Sequence, residues 1–195
     1  MADKTDVWVF FNYRSPYCYI ATHKMWSIED DHPGRLVFKP LGGWNGRSAP
    51  DRAKVKMPIA RQDVQRWTRR LNVPFVPPPK TTDPTNAALA ALVAIDHDLV
   101  RPYTNAVMNE EWAHGQDIGQ PEILLKVATS VGLDRDEVIA AFDDPKRHAQ
   151  LEANAAAAQE RGIFGVPTFV IGDEIFWGQD RIDFVEEHLD ALAKP

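Results

Sequence analysis

Apolar residues form short continuous runs at both ends of the chain and recur at helical spacing between them. Residues 7–11 (VWVFF) are apolar and β-prone, and residues 36–41 repeat this character, so both segments are predicted strands. Ser15-Pro16 predicts the start of an intervening helix that ends at His32-Pro33-Gly34, because serine is a favoured N-cap and proline fits the first helical position. Strand, helix and strand in this order predict a βαβ unit with two parallel strands. The helix residues predicted to face the core are Ile20, Met25 and Ile28.

The middle of the chain, from about Ala60 to Gly162, is predicted to be helical throughout. Acidic N-caps, some followed by a first-turn proline, indicate where helices begin, and glycines indicate where they end. The predicted starts and stops are Asp83-Pro84, Asp134 with Glu137, Asp144-Pro145, Gly132 and Gly162.

The C-terminal segment returns to β structure. Residues 168–171 and 175–177 flank a glycine-containing turn, which predicts a hairpin, and a last helix follows from Gln179. The apolar stripe predicted for that helix is Ile182, Val185, Leu189 and Leu192. The order β-α-β, helical block, β-β-α predicts an α/β fold whose mixed sheet is built from both ends of the chain. The predicted domains are residues 1–60 joined with 163–195, and a helical insertion of residues 61–162.

Composition narrows the class of protein. The chain has 195 residues, 44% of them hydrophobic and 26% charged, as in ordinary globular proteins. It contains no apolar run near 18 residues and no signal-peptide pattern, so we expect no membrane contact. Cys18 is the single cysteine, which excludes an intrachain disulfide and favours a soluble, cytoplasmic protein. The net charge of -6 argues against a nucleic-acid partner.

Positive charge is concentrated in one segment. Between Arg47 and Lys80 there are nine Lys or Arg residues and two acids, Asp51 and Asp63, although the whole chain is acidic. Such a segment can hold a small anion, or it can be a solvated helix face, and the pattern leaves both interpretations open.

Three segments could carry chemistry. The six histidines show no metal-binding spacing, so a zinc site is not expected. Ser15-Pro16-Tyr17-Cys18 follows a strand and opens a helix, where free N–H groups stabilise an anion; alternatively, Ser15 is only a helix cap. Pro167 precedes a strand and could be cis, although trans is the ordinary state. Gln179 and Asp180 could hold a ligand's amino group, or Asp180 could simply complement a helix N-terminus.

Taken together, these segments resemble a known family. The Ser-Pro-Tyr-Cys helix start, the helical insertion and the sequence RGIFGVPTFVIGDEIFWGQDR closely resemble 2-hydroxychromene-2-carboxylate isomerases, relatives of kappa-class glutathione transferases and of DsbA-like thiol oxidoreductases. The resemblance implies a thioredoxin-like fold interrupted by a helical domain, a homodimer, glutathione as the thiol cofactor and a cis peptide bond before Pro167.

The resemblance also implies roles for individual residues. Ser15 matches the catalytic serine that stabilises the glutathione thiolate, and Arg47, Asp51 and Arg52 fall at or near positions that contact substrate or cofactor. The residues implied to bind glutathione are Ser15, Pro16, Tyr17, Val166, Pro167, Gln179 and Asp180. The sequence departs from the family at Cys18, where most members have serine, at Asp51, which replaces asparagine, and at Arg47, which replaces a neutral amide.

The activity implied is a glutathione-dependent isomerisation of an aromatic or enone carboxylate. The cofactor's thiolate would add to a conjugated carbon, the resulting single bond would rotate, and elimination would return the thiol. Three other hypotheses stay open: a kappa-like transferase that consumes glutathione, a thiol oxidoreductase that uses Cys18, and a binding module without catalysis.

Overall fold

The computed structural model describes residues 4–43 and 50–194, and the side chains of residues 50–53 are not described. A single four-stranded sheet in these residues has the order β2-β1-β3-β4. β1 and β2 are parallel, whereas β3 is antiparallel to both β1 and β4, which confirms the predicted βαβ unit and the C-terminal hairpin. The strands are β1 (Thr5–Phe11), β2 (Gly34–Pro40), β3 (Thr168–Ile171) and β4 (Glu174–Trp177).

Helices fill the chain between β2 and β3 and flank the sheet at both ends. A π-helical turn, Asn109–Ala113, follows α5, and a 3-10 turn, Gln179–Arg181, precedes α9. None of the helices within the described ranges is long and apolar enough to cross a membrane. The helices are α1 (Pro16–Ala21), α2 (Ser27–Asp30), α3 (Pro50–Leu71), α4 (Thr85–Asp96), α5 (Val100–Met108), α6 (Pro121–Ser130), α7 (Arg135–Phe142), α8 (Pro145–Glu160) and α9 (Ile182–Leu192).

The predicted acidic caps are present. Asp134 accepts a hydrogen bond from the Glu137 N–H, and Asp144 accepts one from the Lys146 N–H, each at 2.9 Å. Asp83 accepts from the N–H of Thr85, so α4 begins one residue later than the Asp-Pro pattern predicts. Capping of this kind satisfies backbone donors that have no partner within the helix.

Three details of the helix prediction are wrong. The first predicted helix is two short helices, because the Thr22 hydroxyl donates to the Tyr19 carbonyl and the chain continues in tighter turns. α3 begins at Pro50, ten residues before the predicted helical block. The first turns of this helix lack the apolar stripe from which a helix is predicted. The side chain of Leu192 is 54% exposed, outside the buried stripe of α9.

The sheet separates two apolar layers. Val9 and Phe11 face the main core, which the sheet shares with most of the helices. Phe10 and Val170 face the opposite side and pack with Ala158 of α8. The active-site candidates lie at the end of β1 and at the start of β3, which are neighbouring strands of this sheet.

Candidate functional site

Ser15 lies where β1 passes into α1 and is half-buried. Its Oγ accepts a hydrogen bond from the Cys18 N–H at 3.3 Å, which confirms the predicted helix cap. The same hydroxyl also donates to the carbonyl oxygen of Val166 at 3.4 Å, across 151 residues of sequence. Ser15 is therefore both a cap and a contact between the two ends of the chain.

The peptide bond between Val166 and Pro167 is cis, as the family resemblance implies. The carbonyl oxygen of Pro167 accepts a hydrogen bond from the Gly178 N–H at 2.9 Å. Gly178 has a φ of 116°, a backbone conformation that favours glycine. This bond ties the turn that carries Gln179 and Asp180 to the loop that faces Ser15.

Gln179 and Asp180 occupy the 3-10 turn beside α1, and they differ in exposure. Gln179 is buried, whereas Asp180 is exposed and forms an ion pair with Arg181 at 2.8 Å. An exposed carboxylate at this position can accept hydrogen bonds from a cationic group of a ligand. The fold thus brings Ser15, Val166, Gln179 and Asp180 into one region.

Tyr17 links this region to α3. Its hydroxyl donates to Asp63 Oδ2 at 3.1 Å. Partial burial, together with the negative charges of Asp63 and Asp180, raises the pKa of Tyr17 to about 12. Tyr17 therefore remains a neutral hydrogen-bond donor between two carboxylates. One indirect sign of Asp63 is visible in the sequence, because it is an acid within a basic segment.

Cys18 is wholly buried and not exposed as a reactive thiol. Burial raises the pKa of its thiol to about 12, outweighing the hydrogen bonds from Asn12 and Ser15 that lower it. A thiol with this pKa stays protonated at neutral pH and is a poor nucleophile. These properties favour a packing role for Cys18.

The residues that the resemblance assigns to the substrate lie at the edge of what the structure describes. Arg47 is outside the described residues. Asp51 and Arg52 belong to the first turn of α3, and their side chains are not described. The basic side chains from Lys54 to Arg70 that are described are exposed, as on a solvated helix face. The substrate assignment stays a prediction.

A groove runs along α8 to the cis-proline loop and has a volume of about 650 Å³. That volume falls in the range of small-molecule sites. Its lining is largely apolar, with polar groups from Glu152 and Gln159, and it includes Val166, whose carbonyl contacts Ser15. The apolar lining includes Leu41, Ala155, Ala156 and Ile163. No group of three or more His, Cys, Asp or Glu residues within the described residues could hold a metal ion.

Comparison with known proteins places this geometry in a family. The model of the DSBA-like thioredoxin domain matches residues 6–190. The 2-hydroxychromene-2-carboxylate isomerase of Sphingobium xenophagum is 27% identical over 187 residues, which cover 92% of this chain and 95% of that protein. The protein of the same name from Pseudomonas putida is 25% identical over 193 residues, covering 95% and 94% of the two chains.

Solved structures agree on the fold. A structure of 2-hydroxychromene-2-carboxylate isomerase superposes with a TM-score of 0.83 at 23% identity and covers 96% of this chain and 95% of its own. The cytosolic disulfide reductase DsbM of Pseudomonas aeruginosa, solved with GSH, superposes with a TM-score of 0.71 at 17% identity, covering 95% and 99%. The predicted thioredoxin-like fold is confirmed, and the named relatives support an isomerase.

Proposed function

Because the chain belongs to the family of DSBA-like thioredoxin domains, we propose that it is a glutathione-dependent isomerase acting on an aromatic or enone carboxylate. The observation that carries this proposal is the meeting of the Ser15 hydroxyl with the Val166 carbonyl, directly before a cis-proline. The names of two relatives, both 2-hydroxychromene-2-carboxylate isomerases, support the reaction class.

The side chains at this site fit the chemistry of glutathione. The Ser15 hydroxyl is half-exposed, and its 3.4 Å bond to Val166 is long enough to be exchanged for a bond to a thiolate. Pro16 has no N–H and the Cys18 N–H already donates to Ser15, so the backbone donor that the first turn of α1 could add is the N–H of Tyr17. Asp180 presents an exposed carboxylate to the cofactor's ammonium group, and Gln179 lies beside it. The Val166 backbone would pair with the cysteinyl part.

When bound, glutathione supplies a thiolate nucleophile that adds reversibly to a conjugated carbon and leaves again after bond rotation. The contribution of this chain is to keep that sulfur ionised and in place. Ser15 would donate a hydrogen bond to it, and a donor to an anion favours the charged form. The buried, neutral Cys18 would take no part in this chemistry.

The organic substrate would occupy the groove whose lining includes Val166. Its apolar walls suit an aromatic ring, and the carbonyl oxygen of Val166 accepts a hydrogen bond from the Ser15 hydroxyl. We propose that Arg52 or Arg47 holds the substrate carboxylate, since a guanidinium can bind a carboxylate through two hydrogen bonds. We further propose a cytoplasmic homodimer, a state that sedimentation equilibrium would measure.

A turnover assay with 2-hydroxychromene-2-carboxylate tests the proposal. We expect conversion to require glutathione and to leave its total concentration constant. Replacing Ser15→Ala should lower kcat/KM about 100-fold, which is the usual cost of losing one donor to a developing anion. Ser130→Ala is the matched control, because it deletes a hydroxyl that bonds only within α6. Equal activity of the Ser15→Ala variant and the wild type would contradict the proposed role.

Three measurements separate the alternatives. A kappa-like transferase would consume glutathione in proportion to product. A thiol oxidoreductase would reduce insulin in a manner that depends on Cys18, an outcome that the burial of this thiol disfavours. A thioredoxin-like binding module with a vestigial pocket would turn over no substrate, and absence of glutathione binding in a calorimeter would favour it.

A further inference from the structure

A single turn of helix packs against the loop that precedes Ser15. The turn is the π-helical segment Asn109–Ala113, and it contacts α1. Trp112 Nε1 donates to the carbonyl oxygen of Tyr13 at 3.1 Å, a buried bond between residues 99 positions apart. Single π-helical turns inside helices are rare and frequent at functional sites. This π-helical turn lies next to the candidate site, because it contacts α1 and the loop before Ser15.

Arg14, the next loop residue, is held by the same turn. Its Nη1 lies 3.4 Å from Glu111 Oε1, and its guanidinium stacks over the Trp112 ring at 5.3 Å. Its Nη2 donates to the carbonyl oxygen of Pro79 at 2.8 Å. Two consecutive residues of the turn thus contact the two consecutive residues that precede Ser15.

Glu111 is an unusual residue to find at this depth. Its side chain is fully buried, and neither carboxyl oxygen has a hydrogen-bond partner in the described part of the chain. Burial is the main cause that raises the pKa of Glu111 to about 8; the charge of Asp117 adds to this rise, whereas Arg14 and the backbone N–H of Ile118 oppose it. A buried acid that gains so few hydrogen bonds costs stability. Such costs are typical of groups kept for function.

We propose that Glu111 and Trp112 are positioning residues for Ser15, and that they act by fixing Tyr13 and Arg14. This inference rests on the proposed function, in which Ser15 contacts the cofactor's sulfur. Glu111 holds the side chain of Arg14, and Trp112 holds the backbone of Tyr13. The direction of the Ser15 hydroxyl follows, because Ser15 is covalently continuous with both.

The test compares the wild-type protein with three variants, by NMR without ligand and by turnover with glutathione. Glu111→Leu removes the polar contact and introduces an apolar side chain of similar size. Glu111→Gln keeps a polar group and mimics the protonated acid. Glu110→Leu is the matched control, since Glu110 sits on the same turn and pairs with His114 instead. The readouts are the amide chemical shifts of Ser15 and Cys18 in two-dimensional NMR at pH 6.5, and kcat with glutathione.

We expect the Ser15 and Cys18 amide resonances to move in Glu111→Leu and to stay near wild type in Glu111→Gln and Glu110→Leu. In Glu111→Leu, kcat should fall about tenfold, less than the about 100-fold cost of a 1 Å misplacement, while the Kd for glutathione changes little. A folded Glu111→Leu protein with unchanged resonances and unchanged kcat would overturn the inference.

A fourth variant guards against a general loss of folding. Trp112→Phe keeps an aromatic side chain and removes the N–H that donates to Tyr13 together with the five-membered ring of the indole, so it should shift the Ser15 amide in a protein that circular dichroism shows to be folded. Unshifted resonances in this variant would also count against the inference. The NMR result is independent of glutathione. If the wild type fails to bind glutathione, the proposed function fails, while the positioning of Ser15 is still decided.

Discussion

The starts of α1 and α8 use the same local device in two different surroundings. Each has a polar N-cap, Ser15 or Asp144, followed by a proline at the first helical position. At the start of α8 the Asp144 carboxylate accepts a bond from the Lys146 N–H on an exposed surface. At the start of α1 the hydroxyl also reaches the carbonyl of Val166, before the cis bond.

The difference lies in what surrounds the two caps. Carboxylates of Asp63 and Asp180 influence Tyr17 beside Ser15, and the buried Glu111 lies beneath the preceding loop. These groups come from distant parts of the sequence. A helix start thus becomes a candidate site through its tertiary neighbours, and three measurements test the difference between the two helix starts.

The largest expected effect concerns the buried acid beneath the Ser15 loop. The folded pKa of Glu111 is raised from 4.5 to about 8, so the folded state binds a proton that the unfolded state has released across this window. Relative to Glu111→Gln, the free energy of unfolding should therefore fall as the pH rises, by up to about 1.4 kcal/mol per pH unit. Urea unfolding of both proteins at pH 5, 6, 7 and 8 measures it.

A difference between the two proteins that stays constant over this pH range would contradict the burial of an ionisable Glu111. The start of α8 supplies the comparison, because Asp144 is only partly buried there. Measurements on Asp144→Asn at the same pH values show how a capping acid at the surface behaves.

The next effect concerns ligand binding at Asp180. Replacing Asp180→Asn removes the charge proposed to meet the cofactor's ammonium group, and a hydrogen bond to a charged group contributes about 1.5–3 kcal/mol. We expect the Kd for glutathione to rise at least about tenfold in isothermal titration calorimetry. Asp136→Asn, an exposed first-turn acid of α7, is the control. Equal affinity of Asp180→Asn and the wild type would remove Asp180 from the proposed site.

The smallest effect concerns the caps themselves. Ser15→Ala and Asp144→Ala each remove one capping bond, so each should lower the free energy of unfolding by about 1 kcal/mol. Urea unfolding at pH 7 gives both values, and turnover of the same two proteins should fall only in Ser15→Ala. A comparable loss of turnover in Asp144→Ala would mean that activity follows stability rather than the site.

Local signals predicted much of the fold correctly. The strands, the hairpin and the caps at Asp134 and Asp144 depend on nearby residues, and each is present. The early start of α3 escaped prediction because Val55, Met57 and Ile59 are exposed and form no stripe. A helix without a buried face in its first turns carries little periodic signal.

The residues of the candidate site were predicted from the sequence, whereas the long-range contacts that hold them in place were not. Ser15, Pro167 and Asp180 were found through motifs that resemble a family, and the cis bond is confirmed. The contacts of Tyr17 with Asp63 and of Tyr13 with Trp112 join residues 46 and 99 positions apart, so no local pattern announces them. Long-range polar contacts of this kind depend on packing that a single sequence does not encode visibly.

Because Cys18 is buried, its reaction with a thiol reagent can report local unfolding of the region around α1. Cys18 carries the single thiol of the chain, the group that iodoacetamide alkylates, and in the folded protein this thiol is buried. Labelling must then wait for the chain around α1 to open, so the rate of modification measures how often the region that carries Ser15 exposes itself to solvent.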